Sequence, residues 1–189
     1  MGSGGGQLLS GEVPDAARSR SRILEVARAH DTHSLRLNEV AREAGVGVGT
    51  VYRHFPTVHS LVEALTADTI RRMLEVSRLA AVEPDAATAF SLYLGSALAL
   101  QLEDGGLQAV LLSPEDDTEE VHSAKSEIFG TFSTVLDRAK AAGAVREGLT
   151  LDQLSHLVCG IEHAVRLGTP DDRALLFEIL LAGIRPANL

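Results

Sequence analysis

From Asp15 onward, apolar residues recur at i, i+3, i+4 and i+7 in one segment after another. Gly, Pro or a Ser/Thr/Asp cap separates each segment from the next. No hairpin dipeptide sits between alternating apolar and polar runs, and nothing repeats at a fixed period. The pattern predicts an all-α fold of about nine helices. An aromatic fraction of 4% with no Trp agrees, arguing against a β-sandwich core and against an aromatic platform for RNA.

The punctuation sets the expected boundaries. Pro14-Asp15 opens a first helix over 15–30, with Ile23, Leu24, Val26 and Ala27 as its apolar stripe. A second covers 37–44, and Gly45 supplies positive φ at its C-cap. Pro56 stops a third over 48–55, and Thr57 caps a fourth running to about 81. Pro84-Asp85 starts a fifth, which runs to about 103 and is closed by Gly105-Gly106; a sixth covers 107–112. Ser113-Pro114-Glu115-Asp116 combines an N-cap, a Pro at the first helical position and first-turn acids, so a seventh helix should start there and end at Gly143. The acidic run 115–120 then reads as a solvated helix start. Thr150-x-x-Gln153 and Thr169-Pro170-x-Asp172 cap an eighth and a ninth helix. Residues 1–14, with five glycines in the first eleven, read as a flexible tail.

Composition excludes several classes of function. A chain of 189 residues can bury one good core and a small satellite domain. Its 17 Lys+Arg against 26 Asp+Glu give a net charge of −9, which speaks against nucleic acid only if the charge is spread evenly. It is not: residues 1–60 carry seven Arg and six acids, and the remainder carry ten basic and twenty acidic residues. A single cysteine excludes an internal disulfide framework and a Cys-rich zinc site, and Cys159 reads as a small core residue. His156 and His163 lie about 10 Å apart along one helix axis, too far to share a metal. No G-x-S-x-G or comparable constellation occurs, so neither catalysis, metal nor cofactor is expected. With no spanning apolar run and no secretory start, the chain is expected to be cytoplasmic and off the membrane.

The informative stretch is 37–55, LNEVAREAGVGVGTVYRHF. Leu37, Val40, Ala41 and Ala44 form the inward face of one helix, and Val51 and Phe55 the inward face of the next. Gly45-Val46 makes the turn, and Ile23 and Ala27 complete a three-helix core, which is the helix-turn-helix pattern. Gly49, Thr50, Tyr52, Arg53 and His54 are left outside. They are rich in donors and carry no carboxylate, as a face that approaches phosphates requires. A phosphate-loop reading of GVGVG fails because a helix, not a strand, precedes it.

From about Arg22 to Ala64 the chain resembles the N-terminal domain of the tetracycline-repressor (TetR) family of transcription regulators, most closely in AREAGVGVGTVYRHFPT and the following LVEAL. The resemblance implies a helix-turn-helix DNA-binding domain over 15–56 and a helical ligand-binding and dimerisation domain over 57–189. It further implies a repressor that binds a palindromic double-stranded DNA operator as a homodimer and is released by a small effector; no buried ionisable cluster is readable, so that effector is expected to be apolar or weakly polar. On this resemblance, DNA contacts fall on Gly47, Val48, Gly49 and Thr50, on Tyr52, Arg53 and His54, and on Arg36 and Asn38. The effector region takes Met73, Phe90, Tyr93, Leu94, Leu112, Phe129 and Phe132.

Helix nine contains ALLFEILLAGI, in which only Glu178 and Gly183 are not apolar, and helix eight carries a broad apolar stripe; such helices need cover on two sides. With the family's habit of pairing its last two helices, the dimer interface is expected on Leu157, Ile161, Val165, Leu176, Leu180 and Ile184. The alternative from another class is a helical small-molecule binding protein whose helix-turn-helix is vestigial.

Overall fold

In the computed structural model, which describes residues 15–169 and 172–186, capping chemistry decides where each helix begins and ends. Nine α-helices, one short 3₁₀ turn and no strand occur among the described residues, so the fold is all-α. The tail expected at 1–14 and the Pro170 of the last cap lie outside them. Two units divide the chain, one ending at Val58 and the other beginning at His59.

The first unit contains α1 (Asp15–Ala27), α2 (Leu37–Ala44) and α3 (Val48–His54). Ile23, Ala27, Val40, Ala41, Ala44, Val51 and Phe55 are buried together, joined by Leu24, Leu35 and Leu37. Gly45 ends α2 at φ 62°, ψ 34°, and the N–H of Val46 returns to the Ala41 carbonyl at 3.1 Å. Only a residue free of Cβ strain makes this tight reversal cheaply, so the turn of the helix-turn-helix depends on that glycine. Across the core the Arg20 guanidinium lies 5.3 Å above the Phe55 ring, and His30 Nε2 sits 2.8 Å from Glu43 Oε2. The first helix is shorter than the expected 15–30. After Ala27 the backbone tightens to i→i+3 bonds, Ala29 N–H to Val26 O and His30 N–H to Ala27 O, leading into the 3₁₀ turn Thr32–Ser34.

The second unit holds nearly all of α4 (Val58–Val82), then α5 (Ala86–Glu103), α6 (Leu107–Leu112), α7 (Glu119–Ala141), α8 (Leu151–Leu167) and α9 (Asp172–Ile184). Asp85 caps α5 through the Thr88 N–H, and Thr150 and Gln153 form a complete capping box on α8. Arg138 of α7 reaches the carbonyls of Ala81, Glu83 and Pro84 at and just past the end of α4, and Arg146 reaches those of Gly183 and Arg185 at the end of α9.

The start of α7 departs from expectation. Ser113 is not its N-cap; Thr118 is, with its hydroxyl accepting from the Val121 N–H, and 113–117 form an irregular loop. Tertiary partners override the local cap signal. Buried Glu63 of α4 accepts from the Asp117 N–H at 2.8 Å and the Thr118 hydroxyl at 3.0 Å, while Lys125 donates to the Ser113 carbonyl at 2.7 Å. Nor is the acidic run simply solvated. Asp116 is buried against Lys125, 2.5 Å away, and His122, 3.0 Å away. Burial alone would raise the Asp116 carboxyl, but its bonds to Lys125 and His122 outweigh that and hold it below the usual carboxylate range.

Candidate functional site

Two candidate sites lie in the chain, one in each unit. In the first unit the outer face of α3 presents Gly47, Val48, Gly49, Tyr52 and Arg53 to solvent, with Thr50 and His54 half-buried at its margins. Tyr52 is 46% exposed in spite of its ring. Arg36, at the N-cap of α2, and Asn38 join Tyr52 in lining a shallow groove of about 430 Å³ that Thr57 and Val58 complete. The α3 part of this face carries no carboxylate, while Arg36 lies 3.9 Å from the Glu39 carboxylate on α2. Arg53 folds back along its own helix, its Nε donating to the Gly49 carbonyl at 3.2 Å and its terminal nitrogen to Thr50 Oγ1 at 3.1 Å. Neither α2 nor α3 receives a side-chain cap at its N-terminus, since Arg36 and Gly47 make no such bond. A face of N–H groups, hydroxyls and an arginine suits an anionic partner.

In the second unit a cavity of about 40 Å³ lies among α4, α5, α6, α7 and α8. Met73 enters from α4, Tyr93, Leu94, Ala97 and Gln101 from α5, and Gln108, Leu111 and Leu112 from α6. Ile128, Phe129 and Phe132 come from α7, and Ser155, Val158 and Cys159 from α8. The Tyr93 ring stacks on Phe132 with centroids 4.5 Å apart, and its hydroxyl donates to the Ile128 carbonyl at 3.2 Å. Burial pushes the Tyr93 phenol far up, so it stays neutral.

The structure thus gathers Met73, Tyr93, Leu94, Leu112, Phe129 and Phe132 around one cavity, but not Phe90. That ring turns away, toward a separate surface depression shared with Leu181 and Ile184. Sequence reasoning missed the polar members, Gln101, Gln108 and Ser155, because an isolated Gln or Ser in a helix has no pattern to betray it. It also placed Cys159 in the core; the thiol is half-buried on the cavity wall. Burial pushes it up, against the opposing effect of the Gln108 amide beside it.

The expected dimer residues separate by exposure. Leu157 is exposed and Ile161 and Leu176 are half-buried, whereas Val165, Leu180 and Ile184 are buried within the chain's own core. These three cannot form an outer face. A helix apolar all round does not announce which side the protomer covers. The side left open on α9 carries Leu175, Ile179 and Ala182, and on α8 Leu157, Gly160 and Leu167.

Comparison with known proteins agrees with this architecture. Residues 21–65 match the profile of bacterial regulatory proteins of the tetR family, and residues 85–186 match that of the SbtR-like transcriptional regulator C-terminal domain. The chain belongs to the TetR family of transcriptional regulators. Among solved structures it is similar to AmtR of Mycobacterium smegmatis, with 20% identity over 93% of this chain and 88% of that one and a TM-score of 0.59. It is likewise similar to PfmR of Thermus thermophilus, with 15% identity, coverage of 89% and 100%, and a TM-score of 0.57. FadR of Bacillus subtilis, solved with stearoyl-CoA, shares 18% identity over 89% of this chain and 98% of that one, with a TM-score of 0.52. None of the curated proteins matches the chain. No helix among the described residues is long and apolar enough to cross a membrane. No group of three metal-binding side chains occurs among them either.

Proposed function

We propose that the chain is a ligand-responsive repressor that binds a palindromic operator as a homodimer and leaves it when a small apolar effector enters the α4–α8 cavity. The observation that carries this reading is the carboxylate-free, solvent-facing side of α3 on a helix-turn-helix. In it, α3 reads the major groove, with Gly47, Val48, Gly49 and Thr50 closest to the bases. Tyr52, Arg53 and His54 meet phosphates, and Arg36 and Asn38 meet DNA from the start of α2. Val48 and Gly49 offer no hydrogen-bonding side chains, so DNA shape carries part of the selectivity.

The dimer pairs the open stripe of α9, Leu175, Ile179 and Ala182, with its copy, flanked by Leu157 and Leu167 of α8. Effector entry displaces α6, whose Leu111 and Leu112 line the cavity. The loop after α6 is bonded to Glu63, so the displacement reaches the first turns of α4, which continue directly from the helix-turn-helix. A differential affinity of a few kcal/mol between the two arrangements suffices.

The test is binding of the full chain to its own promoter DNA over a range of salt. A specific complex that weakens steeply with salt is expected. Absence of any specific complex at low salt would overturn the reading in favour of a small-molecule binding protein.

A further inference from the structure

The α4–α8 cavity has an electrostatic character that narrows its ligand, provided it is the effector site. None of the side chains lining it is ionised at neutral pH. The Tyr93 hydroxyl is engaged by the Ile128 carbonyl, and the Cys159 thiol faces the Gln108 amide. Arg166, a cation on α8, lies outside the lining; it pairs with Glu162 and donates to the backbone carbonyl of Gln101 at 2.8 Å. The side chain of Gln101 is different. Its Oε1 is buried and has no hydrogen-bond partner. A buried amide oxygen without a donor is costly, and a ligand that covered it with carbon would seal that cost in.

We infer that the cavity takes an uncharged, mostly apolar molecule carrying one N–H or O–H group that donates to Gln101 Oε1. Carboxylates and phosphates are excluded, because no cation lines the walls and an anion would meet only carbon and an acceptor oxygen. At about 40 Å³ the unliganded cavity is far smaller than the several hundred Å³ of a typical ligand site, so binding has to open it. The side chains able to yield are Met73, which is unbranched, and Leu112, already 52% exposed at the α6 rim. The ligand therefore enters past Leu112 and pushes on α6, the element through which the proposed release runs.

Titration calorimetry of the full chain with three matched probes tests this: 4-propylphenol, its methyl ether 4-propylanisole, and 4-propylbenzoate. The phenol should bind, the ether at least about fivefold more weakly because it leaves the oxygen unpaired, and the benzoate not at all. Gln101→Met should bring phenol and ether to equal affinity. Equal affinities on the unaltered chain, which would mean that a retained water serves Gln101, would overturn the inference without recourse to the variant. So would a benzoate that binds at least as well as the phenol, or a phenol that does not bind. Promoter binding measured beside the titration separates this inference from the one it rests on. If the phenol binds as expected yet leaves the DNA complex intact, the ligand class stands and the effector role falls. If benzoate releases DNA while the phenol is inert, the reverse holds.

Discussion

The clearest single-residue test of the proposed DNA-facing side is Tyr52, because its hydroxyl can be removed without altering the fold. The ring stands on the exposed side of α3, so Tyr52→Phe changes no core contact. Loss of a hydrogen bond to a charged phosphate should weaken operator binding by about 1.5–3 kcal/mol, read by fluorescence anisotropy. An unaltered affinity would remove this hydroxyl from the interface. In the second unit the residue-scale interaction is Asp116 with Lys125, both nearly buried. Asp116→Asn leaves the ammonium without its carboxylate and should cost about 3–5 kcal/mol in urea denaturation. Its pH dependence has a defined sign. The folded carboxyl lies below its ordinary value, so its contribution is fully present above the unfolded pKa of about 3.9 and is lost as pH falls through the lower folded value. The stability gap between the unaltered chain and Asp116→Asn should therefore hold above about pH 5, begin to narrow below about pH 4 and close only below the lowered folded value. A gap that did not narrow at all between about pH 5 and about pH 2 would mean that the Asp116 carboxylate is not what holds Lys125.

At the scale of elements, α9 shows both what the sequence makes legible and what it hides. Caps made by neighbours a few residues away, such as Thr150 with Gln153 or Gly45 after Ala44, are local chemistry and place helix ends within a residue or two. The start of α7 is misread because Glu63, 54 residues before Asp117, decides it. The same limit applies to facing. Period 3.6 orients α2, whose polar side is unmistakable, but α9 has almost no polar side, so only the packed structure separates Leu180 from Ile179. Leu180 is 5% exposed and Ile179 55%, one position apart. Ile179→Glu should consequently yield a folded monomer in analytical ultracentrifugation, with helical circular dichroism retained. Leu180→Glu should instead lower the melting temperature sharply, because it buries a charge inside the protomer. A dimeric Ile179→Glu would move the interface off this stripe.

For the molecule as a whole, the distribution of charge matters more than its sum. The first unit carries seven Arg against six acids, while the acidic surplus lies wholly in the second. The proposed dimer would double that surplus and disfavour indiscriminate binding to DNA, so affinity would have to come from the few cations of each proposed reading face. Those are Arg36 and Arg53, and Arg53 must first leave its bonds to Gly49 and Thr50. Two cations in each of two heads predict that log K falls with log salt concentration at a slope of about −4. Arg36→Ala should reduce that slope by about 2 in the dimer and weaken specific and non-specific DNA alike, since a phosphate contact carries no sequence information. A measured slope steeper than about −7 would bring further arginines, such as Arg42 or Arg28, into the interface. A slope near zero would mean that hydroxyls and helix N–H groups hold the operator without ion release, and that the arginines on the face serve the fold alone.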